Sequence, residues 1–223
     1  MRFVARIALC AGFVVLLPIA GGGLFGRAGV LAGAGLDVLA VLWLWLWLPR
    51  SAHGAFEAGR YARARRRYRL LGLLAPNAIR ERAATLSRAG CLVAAGRLDA
   101  AERLLAAFDP ATLAAAEHAV WLNNRACAAL AGGRDPHAAL ALADAAAALR
   151  PDVPALQHTR GMALLAVGRA DDAIAVLDGM RAAGELPTRL EAERCRELAQ
   201  AWADKGEAAY AEDYRLRADV LAR

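Results

Sequence analysis

The sequence predicts an all-α protein, in which an N-terminal two-helix transmembrane hairpin leads into a solenoid of helix-turn-helix repeats. Three observations carry this. Two long apolar runs, about 7–26 and 28–48, are separated by Arg27, and the second is interrupted only by Asp37. A glycine followed five residues later by an alanine recurs along the rest of the chain. Within 154–180, small and large apolar residues alternate at helical spacing around a central Gly168. With 58% hydrophobic residues and a mean hydropathy of +0.30, the chain is more apolar than a soluble protein needs to be.

The membrane elements come first. About 20 apolar residues cross a hydrocarbon core, and both runs reach that length. A cleaved signal peptide is the alternative for the first run, since Arg2 and Arg6 precede it. Pro18-Ile19-Ala20 is a poor small-x-small cleavage site, however, and the second run would remain as an anchor. Two spans joined by a tight glycine-rich turn around 21–27 are favoured. Arg60, Arg63, Arg65, Arg66, Arg67 and Arg69 follow the second span closely, so the positive-inside rule keeps that end in the cytoplasm. Arg2 and Arg6 place the N-terminus there too, leaving Arg27 alone outside. This predicts a two-span protein of the inner (cytoplasmic) membrane with its repeats facing the cytoplasm. Trp43, Trp45 and Trp47 suit an aromatic belt at the cytoplasmic interface.

Asp37 lies eleven residues in from Leu48, about 16 Å along a helix and so near the midplane, where a carboxylate costs about 2.5–3.5 kcal/mol. A protonated carboxyl bonded within the hairpin and a contact with a membrane partner both fit. Gly29-x-x-x-Gly33 and Ala8-x-x-x-Gly12 offer small faces for packing the spans or for forming a homo-oligomer.

The repeats follow. The Gly/Ala pair appears as Gly59/Ala64, Gly96/Ala101, Gly168/Ala173 and Gly206/Ala211, and Ala139 completes the series with Gly132-Gly133 as its turn. Gly161 and Ala173 are small where two helices must approach closely. Pro76 and Pro151, each twelve residues after its alanine, end second helices. This pattern resembles the tetratricopeptide repeat (TPR), a helix-turn-helix unit of 34 residues. The step from Ala139 to Ala173 equals that period, and the other steps are a few residues longer. The resemblance covers about 51–223. It divides the chain into a membrane hairpin (1–50), a basic juxtamembrane partial unit (51–76) and a repeat body with a C-terminal capping helix (77–223). The order of two spans, an arginine-rich stretch and repeat helices is also similar to that of HemY-type inner-membrane proteins.

What the TPR resemblance implies is a non-enzymatic scaffold that binds a protein or peptide along the first helices of its units. Counting from the turn glycines, the groove positions are Leu86, Asn123, Cys127, Leu130, His158, Met162, Leu165, Arg196 and Gln200. The set is mostly apolar and lacks the basic clamp that holds a C-terminal carboxylate in chaperone-binding TPR domains. A segment with apolar anchors is therefore the expected occupant. The alternative is an accessory subunit of a membrane complex for transport, secretion or envelope assembly, joined through its hairpin and Asp37.

Catalytic, cofactor and metal motifs are not found. The glycine-rich 21–26 stretch formally fits a dinucleotide loop, but it lies between two spans rather than after a strand. The sole lysine, Lys205, is followed by Gly206 and Glu207, which closes a P-loop reading. His53, His118, His137 and His158 have no metal spacing, and Ser51 and Ser87 lie outside GxSxG. Four scattered cysteines suggest neither a disulfide framework nor a zinc site. The net charge is +6 with pI near 9.7, and the excess sits around the arginine-rich stretch. That stretch suits contact with anionic lipid, at about 1 kcal/mol per Arg. Nucleic acid is not expected, because Tyr61 and Tyr68, the aromatics interleaved there, fall at repeat core positions.

Overall fold

The computed structural model describes the backbone of residues 2–222, and side chains from Pro18 onward apart from positions 21, 182 and 183. Among the described residues there is no strand. The chain divides into two compact units, residues 1–88 and 89–223.

The N-terminal unit opens with α1 (Arg2–Leu42), a helix interrupted at Gly26, where φ is 61° and ψ −143°. The interruption is a sharp change of direction. A Cβ on Gly22 would lie 2.8 Å from Val30 Cγ2, whereas residues eight apart on a straight helix are about 12 Å apart. The expected first span lies partly, and Cys10 and the Ala8/Gly12 face wholly, outside the residues described in side-chain detail. After Gly26 the apolar helix continues through a π-helical turn at Trp43–Trp47. It then passes without a break into α2 (Leu48–Glu57), where Pro49, which has no N–H to donate, directly follows the π-helical turn. The stretch Gly22–Glu57, 36 residues, is long and apolar enough to cross a membrane. α2 pairs with α3 (Tyr61–Leu73). The chain then enters α4 (Ala78–Ala94), whose Ala84 lies 3.5 Å from where a Cβ on Gly72 of α3 would be.

The C-terminal unit holds the end of α4 and α5 (Leu98–Leu105), α6 (Ala115–Ala131), α7 (Pro136–Leu149), α8 (Pro154–Ala166), α9 (Ala170–Gly179), α10 (Thr188–Asp204) and α11 (Ala208–Leu221). Helices pair in sequence, α6 with α7, α8 with α9 and α10 with α11. Each pair also packs on the next through α7–α8 and α9–α10.

One turn recurs five times. Gly59, Gly96, Gly133, Gly168 and Gly206 all adopt positive φ, between 59° and 80°. At each, the glycine N–H bonds the carbonyl three residues back, and the next residue's N–H bonds the carbonyl five back, as in Arg169 N to Leu164 O at 2.9 Å. This is the Schellman motif, and its left-handed residue must be glycine to avoid a Cβ clash. The alanine beyond each turn (Ala64, Ala101, Ala139, Ala173, Ala211) is at most 3% exposed. The middle turn differs in its exit: Asp135 caps α7 by accepting from His137 N at 2.9 Å, with Pro136 at the first helical position.

Close packing at α8/α9 explains the small residues. A Cβ on Gly161 would lie 2.6 Å from Leu177 Cδ2 and 2.7 Å from Cγ. Leu177 is wholly buried with Met180, Leu190 and Leu198, while Ala173 joins Ala126, Leu140, Ala143, Ala163 and Leu164.

Candidate functional site

The candidate site is the face shared by α6, α8 and α10, since α6 packs on α8 and α8 on α10. Asn123, Cys127 and Leu130 fall one turn apart on α6, and His158, Met162 and Leu165 do so on α8. Periodicity thus puts each trio on one line. Cys127 joins the two helices. Its Sγ lies 3.4 Å from Thr159 Oγ1, which itself donates back to Ala155 O at 3.1 Å. Asn123 Nδ2 approaches the same sulfur at 3.9 Å. Leu130 and Leu165 pack against the core between these helices, and Met162 is half-buried.

Two polar atoms on this face are enclosed without a hydrogen-bond partner: Asn123 Oδ1 and His158 Nε2. Each lies within one helical turn of the Cys127–Thr159 contact. His158 is 7% exposed. Burial, together with the charges of Arg189, Arg196 and Arg194, pushes its pKa down to about 4, so the imidazole is neutral at pH 7. Burial pushes the Cys127 thiol up, with Glu193 adding to the effect against the Thr159 hydrogen bond. That sulfur is held as a thiol rather than as a nucleophilic thiolate. Among the described residues, no group of three or more His, Cys, Asp or Glu is placed to hold a metal ion. On α6 and α8 the face therefore offers neutral hydrogen-bonding groups set among apolar side chains, with the charged groups of α10 beside them, which is chemistry suited to recognition.

The other expected groove positions are placed differently. Leu86, in the N-terminal unit, is 1% exposed and presents no surface to a ligand. Arg196 is exposed, and Gln200, also exposed, donates to Asp204 Oδ1 at 2.6 Å. On α10 the half-buried polar groups are instead Glu193, paired with Arg189 at 2.6 Å, and Glu197, whose carboxyl is pushed up by burial. Glu193 lies three residues before Arg196, so the same count from Gly206 leads to it.

Arg194, which sequence reasoning did not single out, is the largest fully buried side chain. Its Nε and Nη2 grip Glu191 at 2.8 and 2.7 Å, and Nη1 donates to Leu177 O at 3.3 Å. Burial opposes its charge, but the Glu191 carboxylate outweighs that and raises its pKa. It fastens α10 to α9, and nothing in its local sequence signals this.

In the N-terminal unit the basic stretch divides by helix face. Arg60, Arg63, Arg66 and Arg69 are exposed and Arg65 is half-buried. Arg67 is a structural tie: Nη1 donates to Ser51 O at 2.7 Å, and the guanidinium lies 5.3 Å from the Trp47 ring centroid. In the apolar helix, Gly29, Gly33 and Asp37 are buried at four-residue intervals along one line. Asp37 is 7% exposed, and its Oδ2 is enclosed without a hydrogen-bond partner.

The chain matches no protein-family model, no curated protein and no solved structure.

Proposed function

We propose that this protein is a membrane-tethered scaffold of the tetratricopeptide-repeat kind, which binds a protein or peptide segment along the face of α6, α8 and α10. The observation that carries this reading is the pair of enclosed, unpartnered groups on that face, Asn123 Oδ1 and His158 Nε2. Burying a polar group without a partner costs about 1–3 kcal/mol, and turning either side chain outward to a bound backbone amide or side chain would relieve it. Leu130, Met162 and Leu165 supply apolar anchor points beside them. The five recurrent glycine turns with buried alanines support the repeat architecture.

In this reading the chain turns at Gly26 between two spans, and both termini lie in the cytoplasm. The buried line of Gly29, Gly33 and Asp37 supports helix-to-helix packing at that turn. The same line favours a second reading, in which the hairpin joins a larger membrane complex and Asp37 Oδ2 meets a polar group of a partner span. Affinity capture from native membranes separates the two. A chain lacking residues 1–50 keeps its partner if the groove binds and loses it if the hairpin binds. Met162→Glu in the full chain does the reverse.

A further inference from the structure

The N-terminal unit places three arginines from two helices on one seam. Gly72 of α3 meets Ala84 of α4, and the short connection from Leu74 to Asn77 makes the chain double back there. Arg69 and Arg65 precede Gly72 by three and seven residues, while Arg88 follows Ala84 by four. With 3.6 residues per turn, Arg65 and Arg88 fall on the facing sides of the two helices and the exposed Arg69 at their rim, all toward the same end. Arg88 Nε is enclosed and has no hydrogen-bond partner. No ion pair joins Arg65, Arg69 or Arg88 to a carboxylate among the described residues. Burial and the neighbouring charges of Arg69 and Arg65 lower the Arg88 pKa, so the three cations disfavour one another as they stand. An enclosed N–H donor surrounded by like charge is satisfied by an anion, and guanidinium forks match the tetrahedral oxygens of phosphate.

The height of the seam identifies the source of the phosphate. Arg67, between Arg65 and Arg69, bonds Ser51 O and lies over Trp47, and Arg80 on α4 lies 4.5 Å from the Trp45 centroid. The seam therefore stands about one turn beyond the end of the apolar helix, beside the exposed Trp43, Trp45 and Trp47. That is the headgroup level of a bilayer spanned by this helix.

We infer that Arg65, Arg69 and Arg88 form a discrete binding site for the phosphate of an anionic phospholipid. The inference rests on the proposed membrane tether. The site fixes the juxtamembrane helices to the leaflet by a stoichiometric lipid, in addition to the diffuse attraction of the exposed arginines.

The test uses the full chain in neutral maltoside micelles. Native mass spectrometry follows its binding of dioctanoyl phosphatidylglycerol, dioctanoyl phosphatidylcholine and inorganic phosphate. The expected result is one tightly held phosphatidylglycerol, at least tenfold weaker phosphatidylcholine, and inorganic phosphate that does not compete at lipid concentrations. R88Q and R65Q/R69Q weaken phosphatidylglycerol at least tenfold, whereas R60Q/R63Q, which removes two exposed charges, one at the N-cap of α3 and one on its opposite face, changes it less than twofold. Without lipid, R88Q melts no lower than wild type, because like charge has been removed, and it loses the stabilisation that phosphatidylglycerol gives the wild type. Equal weakening by R60Q/R63Q would reduce the site to a diffuse charge field. Unchanged binding in R88Q, or inorganic phosphate competing as well as the lipid, would overturn the proposal. Carbonate extraction of native membranes reports the tether separately: a chain released by carbonate while micellar binding persists would remove the tether and leave a soluble phosphate-lipid site.

Discussion

Replacing Gly161 by alanine should destabilise the protein, although the same change stabilises most helices. Alanine is favoured over glycine by about 1 kcal/mol in a helix interior. At Gly161 the added Cβ meets Leu177 at 2.6 Å to Cδ2, 2.7 Å to Cγ and 3.3 Å to Cδ1, so the whole isobutyl head is in the way. Leu177 cannot swing aside, being wholly buried against Met180, Leu190 and Leu198. Overpacking of this kind costs about 1–3 kcal/mol. The collision involves the branch carbon as well as the methyls, which puts the cost toward the upper end. The net expectation is about 1–2 kcal/mol of destabilisation, or a fall in Tm of about 2–8 °C for a chain of this size. Gly179, at the end of α9 with nothing within 4 Å of its Cβ position, is the control, and Gly179→Ala should hold or raise Tm. Thermal melts followed by circular dichroism in detergent decide the matter. Equal or higher Tm for Gly161→Ala would refute the close approach of α8 and α9.

Three further outcomes follow from the same structure. Ala173→Leu, at a wholly buried position, should cost about 1–3 kcal/mol, while the exposed Ala175 should accept leucine with little change; equal thermal shifts would misplace the repeat register. His158 binds its proton less readily folded, at about 4, than at its ordinary 6.5. Its contribution is therefore complete above pH 6.5 and is lost as pH falls toward 4, by about 3 kcal/mol. His158→Phe should flatten that part of the stability profile measured by urea unfolding, and an unchanged slope would place the titration elsewhere. A reporter active only outside the cytoplasm, fused after Arg223, should stay silent, whereas activity would reverse the orientation.

The repeating framework was legible because each of its requirements admits few residues. A left-handed turn residue demands glycine, and a helix crossing at contact distance demands glycine or alanine, so Gly59, Gly96, Gly168 and Gly206 stand out at regular spacing. The middle unit was harder to register: two glycines compete there, and the structure gives the positive φ to Gly133. Groove positions were less legible. Counting from a turn gives a side chain's helical line but not its depth, which depends on what packs above it. Leu86 lies on the expected line yet is buried. Arg196 and Gln200 lie on it yet point to solvent, while Glu193 and Glu197 turn partly inward. Arg194 and Arg88 were invisible for a related reason. Their roles are set by groups 16 or more residues away, at Leu177 and Asp178 for Arg194 and at Arg65 and Arg69 for Arg88.

The most direct test of the groove is site-specific photo-crosslinking of the full chain in native membranes. A photoreactive side chain at Met162 should give a discrete protein adduct, and Asn123→Ala should diminish it while thermal stability is maintained. The same probe at Leu36, exposed on the apolar helix, should give none that depends on Asn123. An adduct at Leu36 with none at Met162 would contradict the account and move the interaction to the hairpin.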